Sequence, residues 1–551
     1  MNKSIKYLIV LFVITLFSPN FVKSQNLLGG QVSGNFQSDI HILNEDSLIG
    51  APPIPEKLLM NAFANIIYTN GNFTSGIRYE SYLNPIQGYD SRYKGSGIQY
   101  RFASYKHKDF EITVGNYYEQ FGSGLIFRAY EDRNLGYDNA MDGIKLRYSP
   151  YKGIYLKGII GQQRFFFDKG EGIVRGIDGE IALNECFKAL EEKKTRLFLG
   201  GSFISKYQRD MDPILKLPEN VAAYATRLNL IRGGWNFMGE YAMKYNDPSF
   251  DNGYIYKNGS ALLLNLNYSK KGMAFLMNAK RVDNMSFRSD RGEKENALLI
   301  NYLPTITRQH TYSLPAMYPY ATQLNGEAGF QTQFIYNFPK KSLLGGKYGT
   351  KFTVNYSLVY AIDKQQINDS IPIGQKATLG YTSDFFTVGE DKYFEDLSLE
   401  VEKKFSSKLK MTASYIYLMY NMRVIEGHEG NNVYANVGLL DMTYKIKPKH
   451  AIRGEIQHLS TKQDDGNWAL LLAEYTISPH WSFAVLDQYN YGNPEKDKQI
   501  HYYMASMSYT KSGSKIMLSY GKQREGIVCI GGVCRQVPAA NGLMLTITSS
   551  F

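Results

Sequence analysis

Cysteine and tryptophan each occur only 3 times in 551 residues, and proline 18 times. So few cysteines exclude a small scaffold built on disulfides. From Gln25 onward no run is apolar for the roughly 18–20 residues a membrane-crossing helix needs, which excludes a helical membrane protein. Neither a phosphate loop nor a dinucleotide fingerprint occurs. No Pro-rich or Gly-rich linker and no fixed 40–50-residue repeat marks a soluble array or propeller. What is abundant is tyrosine (44), phenylalanine (30) and glycine (50), in a chain that is 44% hydrophobic. Mean hydropathy is −0.33. Such a chain is too apolar to be disordered. Its average is what strands give when one face is apolar and the other wet.

Met1 to Ser24 has the pattern of a cleavable export signal: Lys3 and Lys6, the apolar stretch Leu8–Phe17, then Val22-Lys23-Ser24. No cysteine follows the expected cleavage point, so a lipid anchor there is not expected. The mature chain is expected to be Gln25–Phe551, exported and placed in a Gram-negative outer membrane. The first alternating strand begins near Gly29 and the last ends at Phe551. An energised receptor's plug domain is therefore not expected, nor a peptidoglycan-binding domain after the barrel.

Period two runs through the chain. Phe73, Ser75, Ile77, Tyr79, Ser81 and Leu83 alternate with Thr74, Gly76, Arg78, Glu80 and Tyr82. A face carrying Arg78 and Glu80 needs water or paired partners. Trp235, Phe237, Tyr241 and Met243 likewise oppose Asn236, Glu240 and Lys244. Short turns at Asn70-Gly71, His107-Lys108, Arg232-Gly233, Lys270-Lys271, Lys447–His450 and Ser512-Gly513 are separated by long polar loops. The loops lie near 44–56, 85–94, 120–142, 245–258, 286–327, 363–391, 425–430 and 525–540. That pattern predicts an all-β fold: one transmembrane antiparallel up-and-down β-barrel with short periplasmic turns and long outer loops. Counting hairpins gives about 24 strands, with 20–24 acceptable. Leu543, Leu545, Ile547 and the terminal Phe551 form one apolar face, as in a signal read by barrel-insertion machinery.

At about 24 strands the backbone diameter is about 45–50 Å, too wide for side chains to fill. The stretch 286–327, with Arg288, Asp290, Arg291, Arg308 and His310, is a candidate to fold inward as a plug; a loop outside the membrane is the equal alternative. The stretch Tyr117–Asp142 gathers Glu119, Arg128, Glu131, Asp132 and Arg133 around Gly122-Ser123-Gly124. With Arg78, Glu80 and Arg101 these are candidates to line the lumen or a charged constriction, or simply to pair and pin a loop. The Gly-Ser-Gly reads as a kink, not a nucleophile site.

The phrases QFGSGLIFRAYEDRNLG, KRVDNMSFRSDR, QHTYSLPAMYPYATQLNGE and CIGGVCRQVPAANGLMLTITSSF resemble those of a Bacteroidota family of outer-membrane barrels of unassigned function. The likeness spans most of the mature chain. It implies the fold and the location, and no activity or functional residue.

Cys529 and Cys534 are expected to form a disulfide in an oxidising compartment, with a metal site as the lesser alternative, since two thiolates need further ligands. No cofactor or metal is expected. Nor is an enzyme: His107, His450 and His480 fall at the short turns, away from the outer rim, and Glu426-Gly-His428-Glu429 is weak as a metal site. The basic balance is spread as single Lys and Arg residues and does not imply nucleic acid. Expected partners are outer-membrane lipid and the insertion machinery. Two functions follow: a passive, porin-like channel for an unnamed solute, or a non-conducting assembly subunit that binds a lipoprotein or secretion component.

Overall fold

The computed structural model describes residues 25–427, 429–530 and 533–551. The expected export signal, Met1–Ser24, lies outside the described residues, as does His428. Among the described residues, 24 antiparallel strands, from Gly30–Asn44 to Ala540–Ser550, form one ring, each paired with its neighbours in sequence. The ring closes where Gly30–Asn44 meets Ala540–Ser550, from Asn35 opposite Ser550 to Asn44 opposite Asn541. Phe551 completes the seam: its N–H donates to the Gly34 carbonyl at 2.9 Å and its carbonyl accepts from Gly34 at 3.0 Å.

Alternation decides which way each strand faces. In Phe73–Asn84, Arg78, Glu80 and Tyr82 are buried on the inner side, while Ile77, Tyr79 and Leu83 are exposed on the outer side. The outer face continues around the ring as Ile66, Val114, Ile144, Ile160, Ile177 and Leu471, all exposed. A closed ring with an apolar exterior satisfies every wall amide within the sheet and meets lipid with hydrocarbon.

One end carries the turns expected at Asn70-Gly71, His107-Lys108 and Lys270-Lys271, the other the long connections, with three departures, one of them the long connection 339–349 at the short-turn end between Glu327–Phe338 and Thr350–Ile362. At the short-turn end, Ala182–Thr195 is bridged by two helical turns, Leu183–Cys186 and Lys188–Glu191. There Asn184 donates to the carbonyls of Leu190 and Thr195 at 2.7 and 2.8 Å. At the long-loop end, Phe165 passes to Asp168 through only Phe166 and Phe167. Phe166 adopts φ 54°, unfavourable for a bulky residue. Tyr93 (ring centroids 4.7 Å) and the Arg92 guanidinium (4.4 Å) clamp its ring.

Replacing Ile77 by Lys should cost about 2–4 kcal/mol of refolding stability in a bilayer, the cost of a cation on the lipid face. Thr74→Lys, on the inner face, should change stability by less than about 0.5 kcal/mol. Urea titration in lipid vesicles measures both; equal losses would mean the faces are assigned wrongly.

Candidate functional site

The lumen is occupied by two connections from the long-loop end. The first, residues 118–140, runs inward beyond the short strand Phe110–Tyr117. Its tip reaches the middle of the wall, where the Ser123 N–H donates to Glu240 Oε2 at 2.7 Å. Glu119 pairs with Arg147 at 2.6 Å and Lys157 at 3.2 Å. Burial would raise the Glu119 carboxyl, and these two cations, with the Gln120 N–H, bring it below its ordinary value.

Above that tip is a buried charge cluster. Arg78 meets Glu80 at 2.6 Å, Asp138 at 2.5 Å and Glu131 at 3.0 Å. Arg164 grips Glu80 at 2.7 Å and Asp138 at 2.8 Å, and Arg133 takes the other oxygen of Glu131 at 2.7 Å. Tyr118 and the Ala140 N–H complete Asp138 at 3.1 and 2.9 Å. Three guanidiniums balance three carboxylates. Such a closed cluster pins a loop and offers a passing solute no net charge. Burial alone would raise the Asp138 carboxyl; the Arg164 and Arg78 guanidiniums more than offset it and hold it below the ordinary aspartate value.

The second connection, residues 284–326, crosses the lumen. Its near half is held by three buried lysines at the upper ends of the wall strands. Lys206 donates to the Arg288 carbonyl at 2.7 Å, Lys244 to that of Ser286 at 2.5 Å, and Lys280 to that of Pro304 at 2.5 Å. Asp247 neutralises Lys206 at 2.7 Å and Glu327 neutralises Lys280 at 2.6 Å. The far half binds the opposite wall. Arg308 pairs with Glu400 at 2.7 Å, His310 meets Asp396 at 2.5 Å, Tyr312 donates to Asp441 at 3.2 Å and the Leu314 N–H to Gln457 at 3.0 Å. Close approach is built into the wall as well: a Cβ on Gly172 would lie 2.2 Å from the Ser289 carbonyl oxygen.

Apolar side chains fill the space between loop and wall. Phe121, Leu125, Ile126 and Phe127 from the first connection, with Met285, Phe287, Ile300 and Leu303 from the second, pack on Val174, Ile204, Ala223, Ala242, Ala261 and Val282 of the inner wall. Across the lumen Ile306, Leu314, Tyr318 and Tyr320 pack on Phe394, Ile416, Leu418, Tyr420, Val433 and Leu459. Burial, and then the Glu327 carboxylate beside it, pushes the Tyr320 hydroxyl well above its ordinary value.

The sequence candidates thus separate. Arg78, Glu80, Glu131 and Arg133 share one cluster; Asp132 caps a turn, accepting from the Asn134 N–H at 2.9 Å. Arg128 lies between the rings of Tyr130 and Tyr302, at 4.2 and 4.1 Å. Arg288 pairs with Asp251 at 2.6 Å, Asp290 accepts from Gln208 at 3.0 Å, and Arg291 donates to the Pro218 carbonyl at 2.6 Å. All three therefore tie the loop to its neighbours at the mouth, while Arg308 and His310 reach the far wall. Arg101 does not face the lumen. It sits opposite Ile77, on the lipid side, because the register shifts between Arg78 and Tyr79. Lys206 was not among the candidates. Its signal was an ammonium in line with the inward Ile204, two residues earlier on the same face.

The disulfide Cys529–Cys534 closes a hairpin of Gly526–Ile530 and Val533–Val537. The hairpin lies over both connections: Arg535 donates to the Asn134 carbonyl of the first at 2.7 Å, and from the second Asn296 donates to the Cys534 carbonyl at 2.6 Å and Gln309 to that of Cys529 at 2.9 Å. Between the far half of the loop and the strands Trp468–Ile477, Trp481–Tyr489 and His501–Lys511 remains a cavity of about 530 Å³, with Leu472, Leu486, Met504, Arg308 and Arg524 on its walls.

A closed 24-strand ring with a lipid-facing apolar exterior and inward-folded loops defines an outer-membrane β-barrel. The chain belongs to the family of unknown function DUF6029, which matches residues 1–551. No curated protein matches it. Among solved structures it is similar to the P pilus usher (PapC) translocation pore, at 10% identity and TM-score 0.43, over 94% of this chain and 99% of that one. It is also similar to a mutant ferric enterobactin receptor (PfeA) from Pseudomonas aeruginosa, at 10% identity and TM-score 0.41, over 94% and 80%. A third is a BenF-like porin from Pseudomonas fluorescens Pf-5, at 12% identity and TM-score 0.34, over 80% and 100%.

Asp138→Asn should cost about 3–5 kcal/mol at neutral pH, because it leaves buried guanidiniums short of a carboxylate. Since the folded value is depressed, the Asp138 contribution is present above the ordinary 3.8 and is lost as pH falls below it through the folded value. Unfolding measured from pH 7 down to pH 3 should show that loss in the native chain and a shallower one in the variant.

Proposed function

We propose that the protein is a transport barrel closed at rest by its own loops, and that passage requires the 284–326 connection to leave the inner wall. The observation that carries this reading is that one connection is bonded to both sides of the lumen, through Lys206 and Lys244 on one side and Asp396, Glu400 and Gln457 on the other. An open, water-filled porin has a polar interior. Here much of the inner wall is aliphatic and packed against loop. The route, once opened, follows the cavity beside strands Trp468–Ile477 to His501–Lys511, whose inward residues, such as Leu472, Leu486 and Ser506, are only half-buried. Export by the N-terminal signal and insertion through the terminal aromatic strand belong to the same proposal.

Single-channel recording in planar bilayers tests it. The intact barrel should be silent or open only briefly. The triple variant Arg308→Ala, His310→Ala, Tyr318→Ala, which unhooks the far half of the loop, should open far more often, and a chain lacking 286–327 should conduct steadily. Large steady openings of the intact barrel would overturn the closed state. Silence of all three forms would favour the non-conducting reading, in which the barrel binds a lipoprotein or secretion component.

A further inference from the structure

The outward position of Arg101 has a chemical use. Arg101 lies on the lipid side of Gly95–His107, sharing its face with Ile77 on one neighbouring strand and, two residues on, with Val114 on the other through Ala103. Its backbone N–H donates to Asn116 Oδ1 at 2.9 Å, and its guanidinium reaches Asp142 at 3.2 Å. Lys169 meets the same Asp142 oxygen at 2.7 Å. Asp142 and Lys169 are each the second residue of a strand counted from the long-loop end. The polar row therefore reaches the long-loop end of the exterior at Asp142 and Lys169, while beside Arg101 itself Ile98 and Leu83 are exposed nearer that end. One carboxylate is shared between two cations, and the Arg101 side chain keeps 53% of its exposure while Asp142 keeps 10%.

Directly below is a depression in the exterior of about 730 Å³, walled by Ile66, Ile77, Val114 and Ile144 and floored by Ser75 and Ala103. Small residues in a row of larger ones leave a slot along the wall. A guanidinium at the top of an apolar slot is complementary to one kind of molecule: an anionic headgroup with hydrocarbon hanging beneath it.

We propose that Arg101 and this slot form a binding site for a phosphate-bearing lipid of the outer leaflet. Arg101 takes the phosphate in bidentate fashion, Asp142 orients the guanidinium while Lys169 offsets its charge, and one acyl chain lies against Ala103 between Ile77 and Val114. The site is on the exterior wall, so it does not depend on whether the lumen conducts.

Native mass spectrometry of the full-length barrel in neutral detergent tests the site, with phosphatidylglycerol as probe and phosphatidylcholine as the neutral comparison. The intact barrel should retain phosphatidylglycerol preferentially. Arg101→Gln should weaken that retention about five- to tenfold, the effect of one cation at a membrane surface. Ala103→Trp, which fills the slot and leaves every charge in place, should weaken it similarly. Lys106→Gln, on the lumen side of the same strand, should leave it unchanged. Melting temperature in lipid-free detergent should be the same for all three variants, which separates lost binding from lost folding. Equal retention by Arg101→Gln and the intact chain would overturn the proposal, as would equal binding of the two lipids. Full competition by inorganic phosphate, or unaltered retention by Ala103→Trp, would overturn the acyl slot and hence the lipid as occupant.

Discussion

The rest of the structure depends on the pairing of backbone amides in a medium that offers them no water. A sheet that crosses a bilayer has to close, because an open edge would leave a row of N–H and C=O groups in hydrocarbon. The seam between Gly30–Asn44 and Ala540–Ser550 is therefore the contact on which the other pairings rely. Closure with 24 strands brings its own difficulty. The ring is far too wide for its side chains to meet across it, so something else has to occupy the middle or the lumen fills with water.

The inner wall shows how that is resolved. It is not uniformly polar: Ala223, Ala242, Ala261 and Val282 on one side, and Leu418, Val433 and Leu459 on the other, are buried beneath loop residues. Apolar positions on both faces of a barrel strand would be costly in a water-filled pore, and they become favourable when a loop covers them. The buried ionic contacts then act as fasteners. Lys206, Lys244 and Lys280 reach carbonyls at the near end of the loop, and the Arg78–Asp138–Arg164 cluster fixes the first connection. These contacts fix register and position, while the apolar clusters supply the larger share of the burial.

Much of the wall was legible in the residues. The alternation of Phe73–Leu83 and of Trp235–Lys244 assigns the faces correctly, because each such strand separates lipid from interior along its whole length. Three features were not legible for physical reasons. The turn at Phe166-Phe167 carries no Gly, Asn or Asp; aromatic packing from Tyr93 and Tyr82 holds it, and that packing comes from distant strands. The face of Arg101 depends on a register shift beside Arg78, and a one-residue shift moves a side chain from lumen to lipid. The three lysines that hold the long loop look like ordinary strand-end cations until the carbonyls they bind are brought to them. The apolar run Ala297-Leu298-Leu299-Ile300, with Phe287, Leu303, Ile306 and Leu314 to either side, was a local sign that this segment is buried.

Amide hydrogen exchange of the intact barrel in lipid, read by mass spectrometry, tests the inward packing of the loops most directly. With the loops packed inward, 118–130 and 285–303 should exchange nearly as slowly as the wall strands they pack against, while 366–376, at the exposed mouth, should exchange fast. Rapid exchange throughout 285–303, with the wall protected, would contradict that packing: the loop would then be free of the inner wall and the lumen open.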